Sequence, residues 1–192
     1  MQNLRYVGNN LFVEKLSIKN ILKKNKTPFY IYSESQIAFN FLKFANTFKK
    51  TDPLICFAAK SNSNLNILRV LGKLGAGADV VSGGELLKAL KAGIRPNKIV
   101  FSGVGKTEEE LKIAINKKIL LINCESESEA QLVNNLSKKL RKKVSIGFRL
   151  NPNVDAKTHK NISTGKAENK FGLSIKNFKV FLKTVKTFKN VK

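Results

Sequence analysis

Lys60 is the residue of this sequence whose setting points most directly to chemistry. It follows the uncharged run LICFAA, residues 54–59, and precedes Ser61 and Asn62. A lysine at the end of a buried run is partly removed from water, and desolvation favours its neutral amine over the ammonium form. A neutral amine is a nucleophile that forms a Schiff base with a carbonyl group, whereas an ammonium group can hold a phosphate. We expect Lys60 to have one of these two roles.

Polar side chains also stand at the ends of four further apolar runs. They are Asp79 with Ser82 and Glu85, Ser102 with Gly103, Asn123 with Glu125, and Arg149 with Asn151. Any one of them has a simple structural explanation, because strands become polar where loops begin. The five groups together predict a shared polar rim that acts as a site.

The elements that must position this rim alternate between strands and helices. Runs rich in Val, Ile and Phe predict five strands at residues 54–59, 78–82, 98–104, 119–126 and 143–151. Helical spacing of apolar residues predicts helices at residues 33–50, 64–76, 83–93, 106–118, 127–143 and 175–189. Thr107 and Glu110 form the sequence pattern of a capping box. Residues 27–33, TPFYIYS, predict one more short strand ahead of the first helix.

Unbroken apolar strands joined by helices indicate a parallel sheet that is buried on both faces. The two candidate architectures are a doubly wound open sheet and a (βα)8 barrel. The sequence lacks GxGxxG, and SGVGKT at residues 102–107 lacks the first glycine of a phosphate-binding loop. A barrel gathers its chemistry at the carboxyl ends of the strands, where the polar residues lie. We therefore predict an α/β fold with a TIM-type barrel.

The net charge of +23 comes from 36 Lys and Arg against 13 Asp and Glu. Only five of these residues are arginines, and the lysines are spread along the chain. Proteins that read nucleic acids rely on the forked contacts of arginine, so we predict no nucleic-acid partner. No uncharged run approaches a membrane span and the N-terminus lacks a signal-peptide pattern, which predicts no membrane partner and a cytoplasmic location. Cys56 and Cys124 form no CxxC pair, so we expect neither a disulfide nor a metal site.

Residues 57–75, FAAKSNSNLNILRVLGKLG, resemble the pyridoxal-phosphate attachment motif of the group IV amino-acid decarboxylases. These are fold-type III enzymes related to alanine racemase. The resemblance continues through SGGELLKALKAG, FSGVGK and NPNVDAKTHKNISTG, which are most similar to the diaminopimelate decarboxylase family. It covers nearly the whole chain. It implies an alanine racemase-like barrel that binds pyridoxal 5'-phosphate and decarboxylates meso-2,6-diaminopimelate, a small amino-acid substrate, to L-lysine and carbon dioxide.

The resemblance also implies roles for four residues. Lys60 would hold the cofactor through a Schiff base and then move protons. Asp79 matches an acidic residue near the cofactor, and Arg149 matches an arginine that reaches the cofactor side of the barrel. Lys170, in NKFG, matches a lysine at the active-site mouth near the interface of a homodimer. His159 is the only histidine and lies in a polar loop, where we assign it no catalytic role.

The family is about twice as long as this chain, so we expect the barrel to be present only as its N-terminal half. Residues 1–26 would join a second, β-rich domain, and residues 27–192 would form the first part of the barrel. The chain is expected to end inside the helix that follows the fifth strand, and to be inactive by itself.

Three other functions remain open from the sequence. The chain could belong to a decarboxylase of another basic amino acid, of the ornithine, arginine or carboxynorspermidine type. It could also be a half barrel that binds pyridoxal phosphate without catalysis. A nucleic-acid binder driven by charge is the weakest reading, and its affinity would fall steeply with salt.

Overall fold

Five parallel strands form the central sheet of the protein, whose computed structural model describes residues 3–151 and 172–192. The strands lie in sequence order and are β4 (Cys56–Ala58), β5 (Gly77–Val80), β6 (Ile99–Phe101), β7 (Leu121–Cys124) and β8 (Ile146–Phe148). Cys56 pairs with Gly77, Ala78 with Ile99 and Val100 with Leu121, a spacing of 21 residues each time. This regular strand–helix repeat confirms the predicted α/β pattern from residue 54 onward.

Helices alternate with these strands and begin at side-chain caps. They are α2 (Glu34–Thr47), α3 (Leu65–Lys73), α4 (Gly83–Lys91), α5 (Glu108–Lys117), α6 (Glu127–Lys139) and α7 (Ile175–Val185). Each cap is a Ser, Thr or Asn whose side chain accepts a backbone N–H of the first turn. The capping box of Thr107 and Glu110 is confirmed. The sequence marks the starts of these helices well because capping is a local interaction.

The core lies between one face of the sheet and the helices. It includes Val80 and Phe101 of the sheet, which are fully buried against Leu86 and Leu111 of the helices. Side chains on the opposite face of the sheet are only partly buried. They include Asp79 of β5, Val100 of β6 and Asn123 of β7. The expectation that both faces are buried is therefore wrong for the described residues, because the helices pack against one face only.

Two short pairings extend the structure beside β8. Strands β9 (Leu150–Asn151) and β10 (Leu173–Ser174) pair in parallel. Val144, just ahead of β8, pairs in parallel with Val191, and the N–H of Ile146 donates to the carbonyl of Lys192 at 2.9 Å. The predicted end of the chain inside a helix is therefore wrong. Helix α7 ends at Val185, and residues 190–192 lie alongside the start of β8.

The N-terminal residues form a separate antiparallel sheet of β1 (Leu4–Val7), β2 (Asn10–Val13) and β3 (Leu16–Ser17), followed by α1 (Ile18–Leu22). This sheet contacts the start of α2, where Glu14 accepts hydrogen bonds from the Ser33 hydroxyl at 2.6 Å and from the Ser35 N–H at 2.9 Å.

The strand predicted at residues 27–33 is not formed. A strand needs a neighbour to bond its backbone N–H and C=O groups, and no described strand pairs with this segment. Tyr30 in this segment is 90% exposed. Within the described ranges, no helix has the combined length and hydropathy that a bilayer crossing requires.

Candidate active site at the carboxyl ends of the strands

Three strand ends of the central sheet are joined by a chain of side-chain hydrogen bonds. The Ser102 hydroxyl, just after β6, donates to Asp79 Oδ1 of β5 at 2.6 Å. Asn123 Nδ2 of β7 donates to Ser102 Oγ at 3.1 Å. The predicted rim therefore exists across β5, β6 and β7. In it, Ser102 links the Asp79 carboxylate to the Asn123 amide.

Gly147 in β8 leaves the space that the Asn123 side chain occupies. A Cβ at this position would lie 2.5 Å from Asn123 Oδ1, which is closer than real contacts allow. No other residue type fits here without moving Asn123. The close approach of β7 and β8 at this point thus helps to aim the amide at Ser102.

Arg149 follows β8 and pairs with Glu125, which follows β7. Its Nη1 lies 3.2 Å from Glu125 Oε1 and 3.1 Å from Oε2, and the backbone N–H of Arg149 donates to the Cys124 carbonyl at 3.1 Å. The carboxylate is buried, whereas the arginine side chain is 38% exposed. Arg149 therefore has one anchored nitrogen, and part of its side chain is open to a ligand.

Lys60 lies in a 3-10 turn, Ala59–Ser61, directly after β4. The strand ends at Ala58, and the turn leaves Ala59 buried but exposes the Lys60 side chain to solvent. Our expectation of a desolvated lysine is therefore wrong. Among the described residues, Lys60 has no hydrogen bond or ion pair, so its amine is accessible to a reactant at the rim.

Lys106 is a buried cation that we did not identify as a site residue from the sequence. Its side chain has no solvent exposure, and its Nζ donates to Gly103 O, Asn123 O and Glu129 Oε1, each at 2.7 Å. It also lies 5.6 Å from the centre of the Phe101 ring. The sequence signal was SGVGKT at residues 102–107, which we compared with a phosphate-binding loop; nothing local showed that this lysine would be buried.

Glutamates in the first turns of three helices fix the loops behind the rim. Glu85 accepts the Val81 N–H at 2.9 Å, and Glu129 accepts the Glu125 N–H at 2.8 Å. Glu110 accepts the N–H of Gly83 at 2.6 Å, which joins the start of α5 to the start of α4. That bond, followed by one from the Thr107 N–H, lowers the pKa of Glu110 below its usual range.

The remaining predictions divide into structural roles and residues that the structure does not describe. Ser82 caps α4 by accepting the Glu85 N–H, so both belong to the helix start rather than to a set of reactive groups. Lys170 and His159 lie outside the described residues. Within residues 3–151 and 172–192, no three His, Cys, Asp or Glu side chains form a group that could hold a metal ion.

The two cysteines do not supply a reactive thiolate. Both are free, and Cys124 is fully buried in β7. Burial, followed by the nearby charge of Glu129, raises the pKa of the Cys124 thiol to about 12. Burial, followed by Asp79, also raises the pKa of Cys56. These thiols stay protonated near neutral pH.

Comparison with curated proteins shows that the chain is similar to several diaminopimelate decarboxylases. The diaminopimelate decarboxylase of Aquifex aeolicus is 47% identical over 90% of this chain and 41% of its own length. That of Haemophilus influenzae is 40% identical over 100% of this chain and 46% of its own length. The chain thus spans less than half the length of these relatives.

Solved structures share the fold. Diaminopimelate decarboxylase from Helicobacter pylori, complexed with L-lysine, matches with a TM-score of 0.86 and 44% identity over 91% of this chain and 44% of that one. Diaminopimelate decarboxylase from M. jannaschii, in co-complex with L-lysine, matches with a TM-score of 0.90 and 37% identity over 100% of this chain and 46% of that one. An arginine decarboxylase of Paramecium bursaria Chlorella virus, 20% identical over 89% of this chain and 44% of that one, shares the fold alone with a TM-score of 0.73.

These matches confirm the predicted fold class and the resemblance to part of a longer enzyme. The family described as pyridoxal-dependent decarboxylase, pyridoxal binding domain, matches residues 34–191. This match contains the central sheet and every described rim residue from Lys60 to Arg149. The chain therefore belongs to the pyridoxal-dependent decarboxylases and contains their pyridoxal binding domain.

Proposed function

We propose that this chain is the cofactor-binding part of an enzyme that decarboxylates meso-2,6-diaminopimelate to L-lysine and carbon dioxide. The observation that carries the proposal is the identity of 40–49% to relatives named diaminopimelate decarboxylase. Two of the similar structures hold L-lysine, which is the product of that reaction. The arginine decarboxylase is far less similar, at 20% identity.

The side chains of the rim fit the chemistry of pyridoxal phosphate. An aldehyde needs a primary amine, and Lys60 presents one to solvent at the end of β4. A phenolate needs a cation, and Arg149 has a partly exposed side chain that is paired with the buried carboxylate of Glu125. When bound, the cofactor takes up the electron pair of the bond between Cα and the departing carboxylate. The donor set therefore suits this group, with Lys60, Asp79 and Arg149 as the residues that would hold it.

The positions of these residues support a proposed role for each. The Lys60 amine would hold the aldehyde group of the cofactor and, once released, would be placed to deliver a proton to the substrate Cα. Arg149 holds a developing negative charge with a guanidinium that Glu125 keeps in place. Asp79, with one oxygen occupied by the Ser102 hydroxyl, keeps its other oxygen for a contact at the rim.

Three further properties are part of the proposal. Residues 1–26 belong to a second domain, which the separate antiparallel sheet of β1, β2 and β3 supports. The full-length protein is a homodimer with Lys170 near the interface, as the family resemblance implies. Two free cysteines in the described part are compatible with the cytoplasmic location that we propose.

The proposal is tested by the substrate preference of the full-length protein with pyridoxal phosphate. We expect carbon dioxide release from meso-diaminopimelate to be far faster than from ornithine, arginine, carboxynorspermidine or lysine. A comparable rate on ornithine or arginine would favour a decarboxylase of another basic amino acid. Cofactor binding without turnover of any of these would favour a non-catalytic pyridoxal-phosphate-binding protein.

A further inference from the structure

The buried ammonium group of Lys106 joins the carboxyl ends of two neighbouring strands. Its three hydrogen bonds go to Gly103 O after β6, to Asn123 O in β7 and to Glu129 Oε1 at the start of α6. An ammonium group has three donors, so the set is complete. Hydrogen bonds from a charged donor are shorter and stronger than neutral ones, and all three are 2.7 Å long. Lys106 therefore fixes the separation of β6 and β7 at the rim.

The first consequence concerns the carboxylate of Asp79. Ser102 is the residue before Gly103, and Asn123 provides both the carbonyl that Lys106 binds and the amide that Ser102 accepts. Holding these two backbone positions keeps the Asn123–Ser102–Asp79 chain at hydrogen-bonding distance. In the described part of the chain, Lys106 is the side chain that binds both the Gly103 carbonyl and the Asn123 carbonyl. Without it, no side chain would join these two backbone groups.

The second consequence concerns the guanidinium of Arg149. Glu129 binds Lys106 through Oε1 and the backbone N–H of Glu125 through Oε2. Glu125 in turn holds Arg149 through both carboxylate oxygens. One carboxylate thus transmits the position of Lys106 to the backbone that carries the partner of Arg149.

We propose that Lys106 is a positioning residue for decarboxylation, which sets the places of Asp79 and Arg149 without touching cofactor or substrate itself. That the reaction is a decarboxylation rests on the proposed function. That Lys106 positions Asp79 and Arg149 rests on the hydrogen bonds described above. A lysine with a purely structural role would change the unfolding transition alone. A positioning lysine also changes the properties of bound pyridoxal phosphate in protein that is fully folded.

The test uses the full-length protein with the double substitution Lys106→Met and Glu129→Gln. Methionine retains much of the volume, and the glutamine oxygen still accepts the Glu125 N–H, so no unpaired carboxylate is left buried. The matched control is Lys112→Met with Glu108→Gln. It removes an exposed ion pair on α5, in which Lys112 Nζ lies 2.8 Å from Glu108 Oε1. We measure circular dichroism, the visible absorbance of bound pyridoxal phosphate against pH, and kcat and KM for meso-diaminopimelate.

We expect the double variant to fold and to bind the cofactor, with kcat reduced about 10- to 100-fold, the scale for misplaced catalytic groups, and little change in KM. Because a guanidinium favours the ionised form of the cofactor's phenolate, its displacement should move the absorbance titration to higher pH by about one unit. The control variant should have the same kcat and the same absorbance titration as the unmodified protein. A folded, cofactor-loaded double variant with unchanged kcat and unchanged titration would overturn the proposal.

A second variant keeps the inference testable if the double variant does not fold. Glu129→Gln alone retains Lys106, but it turns one of the two carboxylate oxygens into an NH2 donor, so Lys106 and the Glu125 N–H no longer each have an acceptor in the places of Oε1 and Oε2. The same upward titration shift is expected, and its absence in folded protein would contradict the proposal. If the unmodified protein releases no carbon dioxide from meso-diaminopimelate, the proposed function fails, but the absorbance titration still decides the role of Lys106.

Discussion

At the scale of single residues, the rim combines one accessible amine with two sets of fixed polar groups. Lys60 has no described hydrogen-bond partner, whereas Asp79 and Arg149 are each held by a neighbour at 2.6–3.2 Å. A nucleophile must move between reactants, and an electrostatic group works best when it is already in place. The exposure of Lys60 is therefore consistent with its proposed role, although the sequence led us to expect a buried amine.

The role of Lys60 predicts the loss of both cofactor attachment and turnover in one variant. Lys60→Ala in the full-length protein should remove the visible absorbance of bound pyridoxal phosphate and abolish lysine formation, because no other described amine stands free at this position of the rim. Lys73→Ala, an exposed lysine at the end of α3, is the control and should leave both unchanged. Wild-type absorbance and turnover in Lys60→Ala would exclude Lys60 from the mechanism.

Gly147 predicts a stability effect that originates at the rim. In Gly147→Ala the new methyl group meets Asn123 Oδ1, so the amide must move and the protein should lose about 1–3 kcal/mol of unfolding free energy. The measurement is urea denaturation of the full-length protein. Gly84→Ala is the matched control, since its Cβ would lie 3.8 Å from the nearest atom on an exposed helical position, and it should be neutral or stabilising. Equal midpoints for the two variants would contradict the crowding argument.

At the scale of elements, the starts of the helices are joined to one another as well as capped. Glu110 of α5 caps its own helix through Thr107 and also accepts the Gly83 N–H at the start of α4. A single carboxylate thereby sets the spacing of two βα loops that stand behind the rim. The α4 and α5 helices are held at the end where the site lies.

Glu110 predicts a pH-dependent contribution to stability. Its pKa is lowered in the folded protein, so its stabilisation is present above the unfolded value near 4.5 and is lost as the pH falls through the folded value. Glu110→Gln should therefore cost about 0.5–1.5 kcal/mol at pH 7, the scale of an ordinary hydrogen bond, because Glu110 is only partly buried and solvent screens its charge. The difference from the unmodified protein should shrink below pH 4.5 in denaturation experiments. Glu109→Gln, on an exposed side chain of the same turn, should show neither effect.

The elements also show which parts of the structure were readable from the sequence. The capping box of Thr107 and Glu110 was predicted because all its atoms lie within four residues. The strand at residues 27–33 was wrongly predicted because an apolar pattern cannot show whether a partner strand is present. Lys106 was missed for a related reason: its three acceptors lie up to 23 residues away in sequence, and only the folded sheet brings them together.

At the scale of the whole molecule, apolar surface is exposed in several places. Tyr30, Tyr6 and Val180 are 90%, 72% and 66% exposed, and β4 forms an edge of the central sheet. A groove of about 390 Å³ between α2 and α3 is lined by apolar residues such as Phe41 and Phe57. Exposed strand edges and apolar patches of this kind favour association between chains.

The exposed surface predicts the behaviour of residues 1–192 expressed by themselves. We expect them to aggregate, or to form a loosely packed state that binds a hydrophobic dye, and to show no measurable decarboxylase activity. Size-exclusion chromatography, dye binding and thermal melting measure this directly. The full-length protein is the control and should be monodisperse. A monodisperse preparation of residues 1–192 with a sharp melt and turnover would show that these residues are sufficient alone.

The sequence-ordered pairing of the central sheet has a consequence for biosynthesis. Because each strand from β4 to β7 bonds to the strand that follows it, every new strand leaving the ribosome finds its neighbour already made. Each of these pairings spans only 21 residues of a 192-residue chain, which suits growth of the sheet from the N-terminus. Hydrogen exchange on stalled nascent chains should therefore show transient pairing of β4 with β5 before β7 and β8 have emerged, with strong protection only in the full-length protein. The turn that carries Lys60 would then be shaped early in translation, well before the strand that leads to Arg149 is synthesised.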